Sequence, residues 1–154
     1  AFWEDRYHAT AVGGGTHLAR CMLYIDLNMV RARAVTHPED WHASGYVETQ
    51  RPRRRGARLD YRRLCDLFEF DTLGQLQHWR REQVAERLGS KADCRDPVWT
   101  ESVAVGSLDY AMMMRRALAL SNPGREPHPE AEGWSLREAP ARYELSLAQS
   151  RTEH

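Results

Sequence analysis

The chain has 154 residues, 42% of them hydrophobic and 29% charged, enough for one domain with a sizeable core or a small domain with an appendage, and too ordered in composition for disorder throughout. No apolar run approaches the roughly 18 residues that span a bilayer, and the opening AFWEDRYHAT reads as neither a basic leader nor an apolar signal core, so a cytoplasmic location is expected. The formal charge of zero conceals an asymmetry, because residues 1–63 hold 11 Arg against 7 Asp+Glu while the remainder holds 11 Lys+Arg against 15 Asp+Glu.

In chain order, residues 1–12 alternate loosely and read as the end of a strand or an irregular lead-in. Phe2 and Trp3 are core-grade residues so near the start that a preceding segment is expected. Gly13, Gly14 and Gly15 break regular structure, Thr16 is placed to cap a helix, and apolar spacing predicts that helix over 17–33. Pro38 and Gly45 bracket a turn. Arg51 to Gly56 has the composition of a linker, and RPRRRGARLDYRR (51–63) carries seven arginines against the single Asp60. Such a strip suits phosphate binding or, equally, a solvated arginine-rich loop.

Further helices are predicted over 59–68, 72–88 and 107–120, with Leu73, Leu76, Trp79, Val84 and Leu88 facing inward on the second of these. Residues 122–133 should form a flexible Pro- and Gly-rich loop, and the last residues should be disordered. The three cysteines, Cys21, Cys65 and Cys94, have no metal or redox spacing and read as free thiols. The domain organisation expected is 1–50, an arginine-rich linker 51–58, a helical extension 59–120 and a flexible tail 121–154. The fold class expected is mostly α-helical.

On a helical wheel, Leu18, Cys21, Met22, Ile25 and Met29 form one apolar face of the 17–33 helix, and Leu23, Leu27 and Val30 a second. Between them runs a polar seam of His17, Arg20, Tyr24, Asn28 and Arg31. A core tyrosine needs one partner for its hydroxyl, whereas this seam offers two guanidinium groups, an amide and an imidazole. Two readings follow. Tyr24 is either a tyrosine that keeps its hydroxyl at the surface of the helix or a nucleophile, and a phenol is a weak nucleophile at neutral pH unless neighbours assist it.

The stretches FWEDRYHATAV and HLARCMLYIDLNMVRARAVTHPEDWHASGY resemble the C-terminal part of the Y1 single-tyrosine transposases of the IS200-like, REP-associated class. The resemblance is close over residues 1–50 and weaker over 59–120. Tyr24, Ile25, Asn28, Val30, Arg31 and Ala32 match the helix motif Y-I-x-x-N-P-V-[RK]-A of that class, and Trp41, Ser44 and Tyr46 match the W-x-x-S-x-Y element that follows it. The resemblance implies a ferredoxin-like α+β domain and an enzyme of DNA transposition that cuts and rejoins single-stranded or hairpin DNA through a 5′-phosphotyrosine. Tyr24 is then the nucleophile, Arg20, Asn28 and Arg31 its polar support, and Arg53, Arg54 and Arg55 further DNA contacts.

Two departures stand out. Met29 replaces the usual proline. More seriously, the His-hydrophobic-His pair that holds the class's divalent metal, Mg²⁺ or Mn²⁺, is absent, since no two of the seven histidines are two positions apart. The chain therefore reads as a truncated copy that lacks the upstream strands, exposes one apolar face of the tyrosine helix and cleaves no DNA alone. No metal ligand is assigned, either to His17 or within HPEDWH (37–42), and Trp41 is expected to pack the turn against the tyrosine helix. The competing readings are a non-catalytic helical DNA-binding module that uses the arginine strip, and an inactive remnant.

Overall fold

A computed structural model describes residues 9–89, 95–119 and 125–137. The chain forms two compact units, one of residues 14–96 and one of residues 1–13 with 97–154. About half of the described residues are helical, and a four-stranded mixed sheet completes an α+β structure. The α+β class that the resemblance implies is compatible with this structure, in which the sheet leaves about half of the described residues helical where a mostly helical chain is expected.

The helical unit starts with α1 (Thr16–Asp26) and α2 (Asn28–Arg31), the expected 17–33 helix interrupted at Leu27. Thr16 is the first helical residue rather than the cap. Gly15 takes the N-cap position at φ 63°, a backbone conformation that a glycine adopts without strain. After a short 3-10 turn at Pro38–Asp40 come α3 (Gly45–Gln50), α4 (Tyr61–Leu67) and α5 (Leu73–Gly89). The start of α5 is fixed by a reciprocal cap, in which Gln75 Oε1 accepts from the Asp71 and Thr72 amides and Thr72 Oγ1 accepts from the Gln75 amide.

Leu23 and Leu27, one turn apart on α1 and its continuation, pack with Tyr46 of α3 and Val84 of α5, and Val30, Trp79 and Leu88 close around them. One of the two apolar faces of the tyrosine helix is thus covered. On the other, Ile25 is 58% exposed, and Leu18, Cys21, Met22 and Met29 are half-buried. The apolar face expected of α5 is present, but its middle is occupied by a charge. Arg80 lies between Leu76 and Val84, is 2% exposed, and meets Asp26, the last residue of α1.

Arg80 Nη2 donates to both Asp26 oxygens at 2.7 and 2.6 Å, and Nη1 donates to Thr49 Oγ1 and, at 3.4 Å, to the Gly45 carbonyl. Thr49 Oγ1 in turn donates to that same carbonyl. One guanidinium therefore ties α1, α3 and α5 together. Burial pushes the Asp26 carboxyl above its ordinary pKa, and the charge and hydrogen bonds of Arg80 offset part of the rise.

The second unit holds β1 (Ala11–Val12), α6 (Pro97–Glu101), β2 (Ser102–Gly106), α7 (Leu108–Leu118), β3 (Pro127–Glu130) and β4 (Gly133–Arg137), with strand order β1-β2-β4-β3. The β1–β2 pair is parallel and the other two pairs are antiparallel. Thr10 Oγ1 donates to the Ser102 and Trp99 carbonyls and fixes the start of β1. The side chain of Tyr110 on α7 lies so close to Gly106 that a Cβ there would come within 2.5 Å of its ring.

The β3–β4 hairpin lies where a flexible loop and tail are expected. Pro127 and Pro129 are compatible with it because β3 is an edge strand. Being two apart, both prolines turn the position of the missing N–H to the same side, away from β4. Cys94, Phe2, Trp3 and the C-terminal end fall outside the described residues.

Removing one partner of a buried ion pair leaves the other charge uncompensated, whereas replacing both by apolar groups is often neutral. Asp26→Ala should therefore lower the stability of the helical unit by about 3–5 kcal/mol in urea unfolding, and the double substitution Asp26→Leu with Arg80→Met should recover most of the loss. A double variant no more stable than the single one would contradict this assignment.

Candidate functional site

The break at Leu27 is where the tyrosine seam acquires its structure. Leu27 has φ −87° and ψ 0°, between the end of α1 and the single turn of α2. At this break the carbonyl of Tyr24 accepts a hydrogen bond from Arg31 Nη2, and the same nitrogen donates to Asn28 Oδ1. The Arg31 guanidinium carbon lies 3.8 Å from the centroid of the Tyr24 ring. Arg31 thus seals the break, orients the Asn28 amide and stacks on the phenol, a contact worth about 0.5–2 kcal/mol depending on its desolvation. Burial holds Arg31 below its ordinary pKa, and Tyr24 and then Asp96 offset this in part.

Tyr24, Asn28 and Arg31 are therefore brought together. Arg20 is half-buried on α1, one turn before Tyr24. After α2 the chain reverses through a helix-ending turn, with the Arg33 and Ala34 amides bonded to the Val30 and Met29 carbonyls and Arg33 at φ 57°.

The second motif element turns out to do structural work. Ser44 caps α3, its Oγ accepting from the Val47 amide at 3.0 Å, and Tyr46 is 1% exposed in the core. The residue that pins this region to the tyrosine helix is therefore Tyr46, whereas Trp41 is 41% exposed. His37 is committed too, because its Nδ1 accepts from the Glu39 amide and caps the 3-10 turn.

Arg53, Arg54 and Arg55 all lie exposed on the loop between α3 and α4. Glu48 holds the return of this loop, its Oε1 accepting from the Arg58 and Leu59 amides, while the Tyr61 hydroxyl donates to the Glu48 carbonyl. The Leu59 amide chiefly, together with the Arg58 amide and the charges of Arg58 and Arg53, holds the Glu48 carboxyl below its ordinary pKa. The arginines are thus displayed on an anchored loop. Residues 14–96 as a whole carry 15 Lys+Arg against 12 Asp+Glu.

Three buried charged residues escape the sequence reading, Asp26, Glu48 and Arg80. The available signal is positional, since Arg80 sits between Leu76 and Val84 on an apolar face and Asp26 lies off the polar seam of its helix. Among the described residues, no group of three or more His, Cys, Asp or Glu side chains could hold a metal ion, and no helix is long and apolar enough to cross a membrane. A guanidinium and an amide beside Tyr24 are not a donor set for a divalent ion, so the metal that the resemblance implies does not fit these residues.

No protein-family model, curated protein or solved structure matches the chain.

The Glu48 anchor has a definite pH dependence. Because its folded pKa is depressed, its contribution is complete above the ordinary value of 4.5 and is lost as pH falls through the lower folded value. Amide hydrogen exchange at Arg58 and Leu59 should stay protected at pH 5 and lose protection under stronger acid. Glu48→Ala should remove that protection at every pH, and unchanged exchange in that variant would mean that the loop is held by something else.

Proposed function

We propose that this chain carries the tyrosine helix of a single-tyrosine DNA transposase, with Tyr24 as nucleophile. The observation that supports the reading most directly is the convergence of Tyr24, Asn28 and Arg31 at the helix break. Three of the residues that resemble the class motif, Tyr24, Asn28 and Arg31, meet through the Arg31 guanidinium.

In the proposed reaction the Tyr24 hydroxyl attacks the phosphorus of a DNA phosphodiester. A bond forms from the phenol oxygen to phosphorus, the bond to the 3′ oxygen breaks, the phenol proton is lost, and the departing oxygen takes up a proton as a free 3′-hydroxyl. The DNA 5′ side remains as a phosphotyrosine, and attack by a 3′-hydroxyl reverses the step to join a new end. Arg31 fixes the ring and places a positive charge beside the incoming phosphate, the type of fixed electrostatic support that phosphoryl transfer uses. The ferredoxin-like sheet of the class belongs to this proposal as well, whereas its histidine pair has no counterpart in this sequence.

The exposed arginines favour a second reading, a module that holds nucleic acid without cutting it. The two differ in what Tyr24 does. The test uses a suicide DNA hairpin with Mn²⁺, offered to the chain alone and to the chain fused to histidine-bearing strands of the class. The transposase reading expects a covalent adduct from the fused form and none from its Tyr24→Phe variant. Equal adduct from that variant, or none from the parent fusion, refutes the reading.

A binding module instead loses affinity steeply with salt whatever residue stands at position 24. Replacing Arg53, Arg54 and Arg55 by Ala should then reduce the slope of log affinity against log salt by about 2, at roughly 0.7 per phosphate on single strands.

A further inference from the structure

Within the helical unit, the start of α1, the end of α4 with the turn after it, and Trp79 of α5 surround a pocket of about 250 Å³. Its lining includes Phe68, Phe70, Trp79, Thr16 and Glu69. Trp79 contacts both phenylalanines, with ring centroids 5.9 Å from Phe68 and 5.8 Å from Phe70. All three rings are half-buried, so the pocket is aromatic and open to the surface. Its volume lies just below the roughly 300–1,000 Å³ of sites for drug-sized ligands, which suits one flat ring system rather than a whole nucleotide.

Glu69 enters this lining at a conformational cost. The Phe70 amide bonds to the Cys65 carbonyl and the Glu69 amide to the Asp66 carbonyl, the pattern that ends α4 in a left-handed residue. That residue is Glu69, at φ 58°, where glycine is the usual occupant. Nothing in the turn itself calls for a carboxylate there. Aromatic rings offer stacking to any base, and a Glu carboxylate accepts hydrogen bonds from the exocyclic amine that cytosine carries and thymine lacks.

We infer that the Phe68–Phe70–Trp79 pocket receives one unpaired, amino-bearing base of a single DNA strand, cytosine above all, with Glu69 reading its amine. The inference rests on the DNA reading for its ligand and adds a base-specific contact to it. The net positive charge of the helical unit, with 15 Lys+Arg against 12 Asp+Glu, suits the phosphates of the same strand.

The test compares labelled deoxycytidine and deoxythymidine octamers by fluorescence anisotropy at fixed salt, using the whole chain. The cytidine strand should bind at least about fivefold more tightly, the lower end expected of one good base-edge contact. Glu69→Gly relieves the left-handed strain, so it should raise Tm by about 2–4 °C while bringing the two affinities within twofold of each other. Phe70→Leu should weaken both strands through lost stacking.

Equal binding of the two octamers by the parent chain, or a cytidine preference that survives Glu69→Gly, overturns the pocket and leaves the DNA reading intact. Failure of both octamers to bind removes the DNA reading together with the pocket. Free cytidine that competes as strongly as the octamer would show that the pocket takes a nucleoside, overturning the assignment to a DNA strand.

Discussion

The contact between Arg80 and Asp26 is the constraint on which the helical unit depends. An ion pair this deeply buried is tolerated when most of its hydrogen-bonding groups find partners, and here the two Nη groups of one guanidinium serve a carboxylate, a threonine hydroxyl and a backbone carbonyl from two other helices, while its Nε has no hydrogen-bond partner. Asp26 is the last residue of α1. The pair therefore fixes the helix at the point where it breaks, and the Tyr24–Asn28–Arg31 cluster is built across that break. The same turn of helix sends Leu23 and Leu27 into the core and Tyr24 onto the polar seam.

The polar surface of the unit is organised by side chains bonded to backbone. Arg31 bonds the Tyr24 carbonyl, Glu48 bonds the amides that close the arginine loop, and His37 and Ser44 cap the short elements between them. Each ties a loop or helix end to a rigid element, which is what a site on short helices requires if its groups are to keep their places. Glu69, like Arg33, takes the left-handed backbone at a helix end, and it belongs to the lining of a pocket.

Much of the helical unit was legible because its signals are periodic. The inward face of α5 follows from the spacing of Leu76 and Val84, and the covered face of the tyrosine helix from Leu23 and Leu27. The grouping of Tyr24, Asn28 and Arg31 follows from steps of four and three residues. The Arg80–Asp26 pair was not legible as a contact, since its partners are 54 positions apart and a charge on a helix reads as solvated until its partner is known. The sheet was missed for a related reason. Strand β2 is a run of five small residues beside a helix start, and the β3–β4 hairpin is disguised by Pro127 and Pro129, which are acceptable only because β3 lies at the edge. Tyr46 takes the packing role expected of Trp41, because two aromatics five positions apart in a turn give no sequence clue to which one turns inward.

The claim that Tyr24 is the reacting atom's owner has a direct physical readout. Trypsin cleavage after Arg20 and Arg31 releases CMLYIDLNMVR, residues 21–31, which holds Tyr24 and no other tyrosine. If DNA is trapped on the protein and digested to its last nucleotide, mass spectrometry should find the nucleotide mass on this peptide, with fragment ions placing it on Tyr24. The same mass on a peptide bearing Tyr46 or Tyr61, with residues 21–31 unmodified, would contradict the assignment.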